Sequence, residues 1–286
     1  DTYSGKKVLI ATGTDISVRI KAEDELQKRM NYEQIISKIS SYAIKSTNIN
    51  KFKNKSLSVI GKTLNVSRVY LFRYDPLGKT YDNTHEWTNV SIVPQINNLN
   101  CIPAESTPWW HKKVKSNQVI CYSDIEDLPS KIERDFLKAQ DIKSILAVPL
   151  FVSENYFGFI GFDECLYKRN WPKEDVDLIL SASRIISATI ELHISQTALK
   201  ENEMRTNSLY NLLRTVSDNL TDMLWAKDMD KKYLFANKAI CENLLNAKST
   251  DEPIGETDIY FAKRERENHQ GDPDWHTFGE ICRDSD

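Results

Sequence analysis

Glycine is scarce and scattered in this chain: nine in 286 residues, no two of them adjacent. No Gly-x-x-x-x-Gly-Lys-Ser/Thr loop is present to cradle phosphates, and no Gly-x-Ser-x-Gly turn to raise a nucleophilic serine. His-Glu-x-x-His is absent too, so the usual zinc-hydrolase face is excluded. Cysteine is equally sparse. Cys101, Cys121, Cys165, Cys241 and Cys282 are odd in number, widely spaced and include no Cys-x-x-Cys pair, which argues against a disulfide scaffold or a structural zinc site. Neither charge sign dominates: the formal net charge is −3, so nothing calls for nucleic acid or an anionic membrane as partner. No apolar run approaches the roughly 18–20 residues that span a bilayer. The opening DTYSGKKVLIATG lacks the architecture of a signal peptide. A cytoplasmic segment is expected, whose parent protein is free to be anchored elsewhere.

What the chain does have is an alternation of helical and extended segments. Its centre is Asp141–Cys165, DIKSILAVPLFVSENYFGFIGFDEC, which reads as two strands joined at Ser153-Glu154-Asn155. Gly158 and Gly161 in the second strand allow close backbone approach or a bend. Such a hairpin needs cover on at least one face. Asn31–Ser46 and Asn48–Gly61 carry apolar residues at helical spacing, among them Ile35, Ile39, Phe52, Leu57 and Ile60. Ser67–Tyr74 and Lys79–Thr88 read as strands around the turn Asp75-Pro76-Leu77-Gly78. Pro108–Ser116 and Lys131–Gln140 are short helices on either side of a strand at Val119–Cys121. From Trp171 to about Leu213 only Pro172 breaks helix chemistry. An unbroken helix there would reach on the order of 60 Å. Leu178, Ile185, Leu192 and Leu199 fall seven apart, the pattern of a parallel dimer seam.

This succession of elements resembles a GAF domain over residues 31–196. The letters that carry the likeness are Trp110 leading a helix into Val119-Ile120, the loop SDIEDLP, the string DIKSILAVPLFVSENYFGFIGFDE and the closing RNWPKEDVDLILSASRIISATIE. Asn117-Gln118 stands where the family usually has Gly-Glu, a replacement that asparagine tolerates at a left-handed helix end. Two flanks resemble pieces of PAS domains. Gly13-Thr14-Asp15-Ile16-Ser17, with Arg19 following, is similar to the junction between a last PAS strand and its signalling helix. The stretch after Asn219, with Asp228–Lys231 as a turn, Asn237-Lys238-Ala239 opening a helix, and Ile254-Gly255-Glu256-Thr257-Asp258, is similar to the start of a second one. The organisation implied is a terminal PAS strand at 1–14, a signalling helix at 15–30, the GAF domain at 31–196, a helical linker at 197–215 and an incomplete PAS domain at 216–286. The implied fold class is α+β: a central antiparallel sheet with flanking helices, long signalling helices and an α/β half-domain. The half-domain is expected to pack poorly without its remaining strands.

The resemblance implies a sensory segment of a signalling protein of the histidine-kinase kind, with no catalytic domain in this stretch. Its small-molecule ligand would be unknown, and it would act as a parallel homodimer upstream of a kinase core and a response regulator. On the family pattern the pocket-facing residues are Tyr70, Phe72, Trp109, Trp110, His111, Leu146, Val148 and Phe159. Two alternatives use side-chain chemistry. Haem would take His111 as axial ligand with Cys101 or Cys121 nearby. A GAF-fold methionine sulfoxide reductase would cycle pocket cysteines such as Cys101 and Cys121. Phe162-Asp163-Glu164 is read as a strand end with turn carboxylates rather than as part of a cyclic-nucleotide site, and no Cys-His pair is present for bilin attachment. His269, His276 and Cys282 match no ligand spacing.

Overall fold

A computed structural model describes the backbone of residues 2–3, 6–7 and 17–268, and divides the chain into two compact units, Asp1–Gln196 and Thr197–Asp286. Most of the terminal strand expected within 1–14, the junction residues Gly13-Thr14-Asp15-Ile16, and the trio His269, His276 and Cys282 lie outside the described residues. Two short strands, β1 (Thr2–Tyr3) and β2 (Lys6–Lys7), pair antiparallel. The two helices expected at 15–30 and 31–46 are one, α1 (Ser17–Lys45), because no glycine or proline interrupts the run. Asn48 caps α2 (Ile49–Leu64), its side chain accepting from the backbone N–H groups of Asn50 and Lys51 at 3.0 Å each.

The body of the first unit is a six-stranded antiparallel sheet built from β3 (Arg68–Asp75), β4 (Thr80–Thr88), β5 (Ile102–Pro103), β6 (Ile120–Tyr122), β7 (Ser144–Val152) and β8 (Asn155–Glu164). The order is β5-β4-β3-β8-β7-β6. The β7–β8 hairpin therefore sits at the centre, next to β3. Its loop residues Ser153 and Glu154 both have positive φ, 48° and 64°, the twist-compatible two-residue turn.

Side-chain alternation gives the sheet two unlike faces. One carries Val69, Leu71, Leu146, Val148, Ile160 and Phe162 into a core shared with α1, α2 and the first turns of α5 (Lys173–Asp218). The other carries Tyr70, Phe72, Ala147 and Phe159 against α3 (Pro108–Lys115) and α4 (Lys131–Lys138). At the end of α3, Asn117 is left-handed (φ 57°), with its N–H on the Val114 carbonyl and that of Gln118 on Lys113. This is the Schellman pattern foreseen for the Asn-for-Gly replacement. α5 is a single 46-residue helix. One 18-residue window of it reaches a mean hydropathy of 1.2 with a third of it buried, so it is long and apolar enough to cross a membrane by length and composition. The core helix of a folded domain passes the same test.

In the second unit β9 (Trp225–Lys227) and β10 (Tyr233–Ala236) pair antiparallel. Asn237 caps α6 (Lys238–Ile240), which continues as a π-helical turn, Cys241–Leu245, and α7 (Asp258–Asn268) follows. Tyr233, Ile240, Leu245 and Phe261 form a small core, while Trp225, Leu234 and Ile254 stay exposed. Among the described residues this unit thus has both a buried core and exposed apolar side chains.

Candidate ligand pocket

The sheet face turned away from α1, α2 and α5 encloses a cavity with about 50 Å³ of room. Tyr70 and Phe72 of β3, Phe159 of β8 and Trp110 of α3 bring rings to it; Tyr81 of β4 and Phe136 of α4 add two more. Phe72 and Phe159 stack at 4.9 Å, Tyr70 meets Phe72 edge-on at 5.4 Å, and Trp110 lies 5.5 Å from Phe159. Leu99, Ile102, Thr107, Glu133, Leu137 and Gln140 complete the lining.

Gly161 makes the arrangement possible. A Cβ there would fall 2.1 Å from the Tyr70 ring, so only glycine lets that ring lie across β8. The Tyr70 hydroxyl then reaches Asp163 Oδ1 at 2.7 Å. The other oxygen of Asp163 takes Arg68 through Nε at 3.1 Å and Nη2 at 3.0 Å, and all three side chains are buried. Burial outweighs the Arg68 charge and lifts the Asp163 carboxyl to about 6. The Tyr70 phenol is pushed well above its ordinary value by the same burial and by Asp163. Asp163 and Glu164 thus correct the expectation of turn carboxylates. They end β8 but are buried, and Glu164 accepts from Ser67 Oγ at 2.7 Å.

Of the eight side chains expected in the pocket, four line it: Tyr70, Phe72, Trp110 and Phe159. Leu146 and Val148 do not. Their register partners are Phe162 and Ile160, and all four point into the helix-packed core. A one-residue error of parity on β7 moves a side chain through the sheet. Trp109 packs beside the cavity against Tyr122, ring centroids 6.2 Å apart. His111 lies just outside the lining, its Nδ1 2.7 Å from the Tyr81 hydroxyl and its ring against Tyr74 and Tyr156. Burial, then the Lys115 charge, lowers its pKa.

No imidazole or thiol lines the cavity. Cys101 and Cys121 are exposed, and burial of its sulfur raises rather than lowers the Cys121 pKa, the reverse of what a redox-active thiolate requires. The residues present thus offer haem no axial ligand and a bilin no attachment point within the cavity.

Glu133, Tyr81 and Gln140 were missed at the level of sequence. Glu133 is 1% exposed, and its Oε1 accepts from the backbone N–H groups of Trp109 and Trp110 at 2.9 and 3.2 Å, so α4 caps α3. The signal was spacing: Glu133 lies four residues before the buried Leu137, on the inward face of α4. Tyr81 was hidden by a bulge. Between Leu71 and Phe72 the β3–β4 register shifts, so Asn83 faces Phe72 while His85 faces Leu71. Tyr81 turns to the cavity, but His85 and Trp87 turn to α2 and the helix core.

Comparison with known proteins bears on residues at the centre of this geometry. The GAF domain family matches residues 54–190. The methanogenesis regulatory histidine kinase FilI of Methanothrix harundinacea (strain 6Ac) is 32% identical over 131 residues, 44% of this chain and 15% of that protein. The chain thus spans less than a sixth of that relative. Among solved structures, the phycocyanobilin-bound GAF domain of a cyanobacterial phytochrome superposes with a TM-score of 0.52 at 13% identity, over 58% of this chain and 96% of that one. The phycoerythrobilin-bound GAF domain of a cyanobacterial phytochrome gives 0.52 at 15% identity, over 59% and 99%. At such identities the likeness is one of fold.

Proposed function

We propose, from the premise that residues 54–190 form a GAF domain, that this chain is the sensory segment of a histidine-kinase signalling protein. In this reading a small molecule enters the ring-lined cavity and shifts the packing of the sheet. The kinase link rests on the 32% identity with FilI, and the second unit would act as an incomplete PAS relay downstream.

The observation that carries the reading is that β3 and β8 have one face in the cavity and the other under α5. Phe72 and Phe159 line the cavity, while Leu71 and Ile160 share a core with Ile179, Ala182 and Ile186 of α5. A ligand that moves the rings therefore loads the surface on which α5 rests. It biases the helix only through its differential affinity for the two packings.

A thermal-shift screen of the purified chain against small molecules tests this, run in parallel on the cavity-filling variant Leu137→Trp. A ligand at a hundred times its Kd adds about 2.7 kcal/mol of stability, read as a rise of several degrees in Tm. Hits are expected to lose that rise in Leu137→Trp. Hits that stabilise both proteins equally would place the ligand elsewhere.

A further inference from the structure

We infer that the open cleft between α2, β4 and α5, on the side of the sheet away from the aromatic cavity, takes a small organic anion, a carboxylate or phosphate head on a short apolar body. This goes beyond the reading of the aromatic cavity and does not depend on it. The cleft has about 940 Å³ of room, the size of a small-molecule site. Two cations line it, Lys53 of α2 and Arg73 of β3. Arg73 follows Val69 and Leu71 in the alternation of β3, which carries it to the helix side. Among the described residues neither cation has an ion-pair or hydrogen-bond partner. The Lys53 ammonium lies 5.9 Å from the ring centroid of Phe157, another residue of the lining.

Two acids of β4 are already engaged. Glu86, the one acid in the lining, accepts from the backbone N–H groups of Gln95 at 2.9 Å and Ile96 at 2.8 Å. Asp82, the register partner of Arg73, accepts from the Cys101 N–H at 2.7 Å. Lys53 is half-buried, and burial together with the Arg73 charge lowers its pKa. Two like charges so placed repel, and an anion shared by them offsets both the repulsion and the lost hydration. Much of the remaining wall is apolar, with Trp87, Phe157, Ile190 and Ile194. A bare inorganic anion would leave that surface in water, whereas an apolar body behind the charged head covers it. Ile190 and Ile194 belong to α5, so the ligand joins cations on α2 and β3 to that helix.

Isothermal titration of the full chain with hexanoate, 1-hexanol and hexylammonium tests the inference, because the probes share one apolar body and differ in charge. Hexanoate is expected to bind about tenfold or more tightly than hexanol, and hexylammonium more weakly than either. Hexyl phosphate, titrated in the same way, reads which anionic head the cleft prefers. Lys53→Gln and Arg73→Gln together are expected to abolish the preference for the anion, and Lys53→Arg to keep it. Circular dichroism and Tm report whether the variants fold; Arg73→Gln alone, at an exposed position, reads part of the same loss if the pair does not. Leu137→Trp is expected to leave hexanoate binding unchanged, since it fills the cavity on the other face of the sheet. The assignment is overturned if neither anion binds more tightly than hexanol, if a folded variant lacking both cations keeps the preference, or if Leu137→Trp removes it.

Discussion

Gly161 shows how one residue holds the pocket open. Adding a methyl group there drives the Tyr70 ring off β8, and with it the bond from the Tyr70 hydroxyl to Asp163. Gly161→Ala is expected to cost about 1–3 kcal/mol, measured by urea unfolding, and to weaken every ligand whose stabilisation is lost in Leu137→Trp. Unchanged stability would mean that the ring has room to move aside.

Two buried titrating groups act in opposite senses over nearly the same pH range. His85 is held neutral by burial and by the Lys53 charge, its pKa lowered to about 4. Its contribution to stability is complete above the ordinary histidine value and is lost as pH falls through about 4. Asp163 has a raised pKa, about 6. Its contribution is complete below the ordinary carboxylate value and is lost as pH rises through about 6. Asp163→Asn is therefore expected to steepen the loss of stability on acidification from pH 6 to pH 4, and His85→Gln to flatten it. At pH 7 Asp163→Asn should also cost on the order of 3 kcal/mol, because the buried Arg68 loses its counter-charge. Denaturant melts at several pH values read all of these effects; slopes of the opposite order would reverse the assignment.

Among the elements, α5 departs most from its sequence pattern. The four residues at seven-residue spacing do not form one seam. Leu178 is buried in the domain core and Ile185 packs partly against it, while Leu192 and Leu199 are 57% and 60% exposed. The exposed residues of this helix that share a seven-residue face are Leu192, Leu199, Leu209 and Leu213, and a dimer seam would run along them. Cysteines placed at Leu192 or Leu199 are expected to crosslink between chains with high yield, whereas one at Leu178 should not. Glu at both exposed sites should leave the Tm of the first unit unchanged and abolish dimers by light scattering. A monomeric wild-type chain would count against a parallel pair.

At the scale of the whole molecule the division at Gln196 has a direct consequence. The first unit has its own two cores and a closed accounting of sheet faces, so a chain ending at Gln196 is expected to fold cooperatively and keep the pocket's ligands. Among the described residues of the second unit, Trp225, Leu234 and Ile254 are exposed beside a small core. Residues 197–286 in isolation are expected to bind a hydrophobic dye and unfold without a sharp transition. Calorimetry of the two fragments would show it; a sharp transition in the second would mean that exposing Trp225 and Leu234 costs little.

Much of the order of elements was legible in the residues. Asn48 and Asn237 cap the helices that follow them, Ser153-Glu154 turns the central hairpin, and Asn117 ends α3 left-handed, because each acts through local backbone chemistry. The alternation of Tyr70 and Phe72 with Val69 and Leu71 marks two faces on β3 for the same reason. Which face belongs to the cavity was not written locally. The parity of Leu146 and Val148 depends on their register with β8, and the opposite orientations of Tyr81 and His85 depend on a bulge against β3. Glu133 is an ordinary helical residue until α4 is docked against the N-terminus of α3, which gives its carboxylate two backbone donors and a place on the cavity wall. Local propensity and periodicity settle what each segment becomes, since they act over a few residues. Only the packed sheet decides which atoms share the pocket, since register, bulges and docking are properties of pairs of segments far apart in the chain.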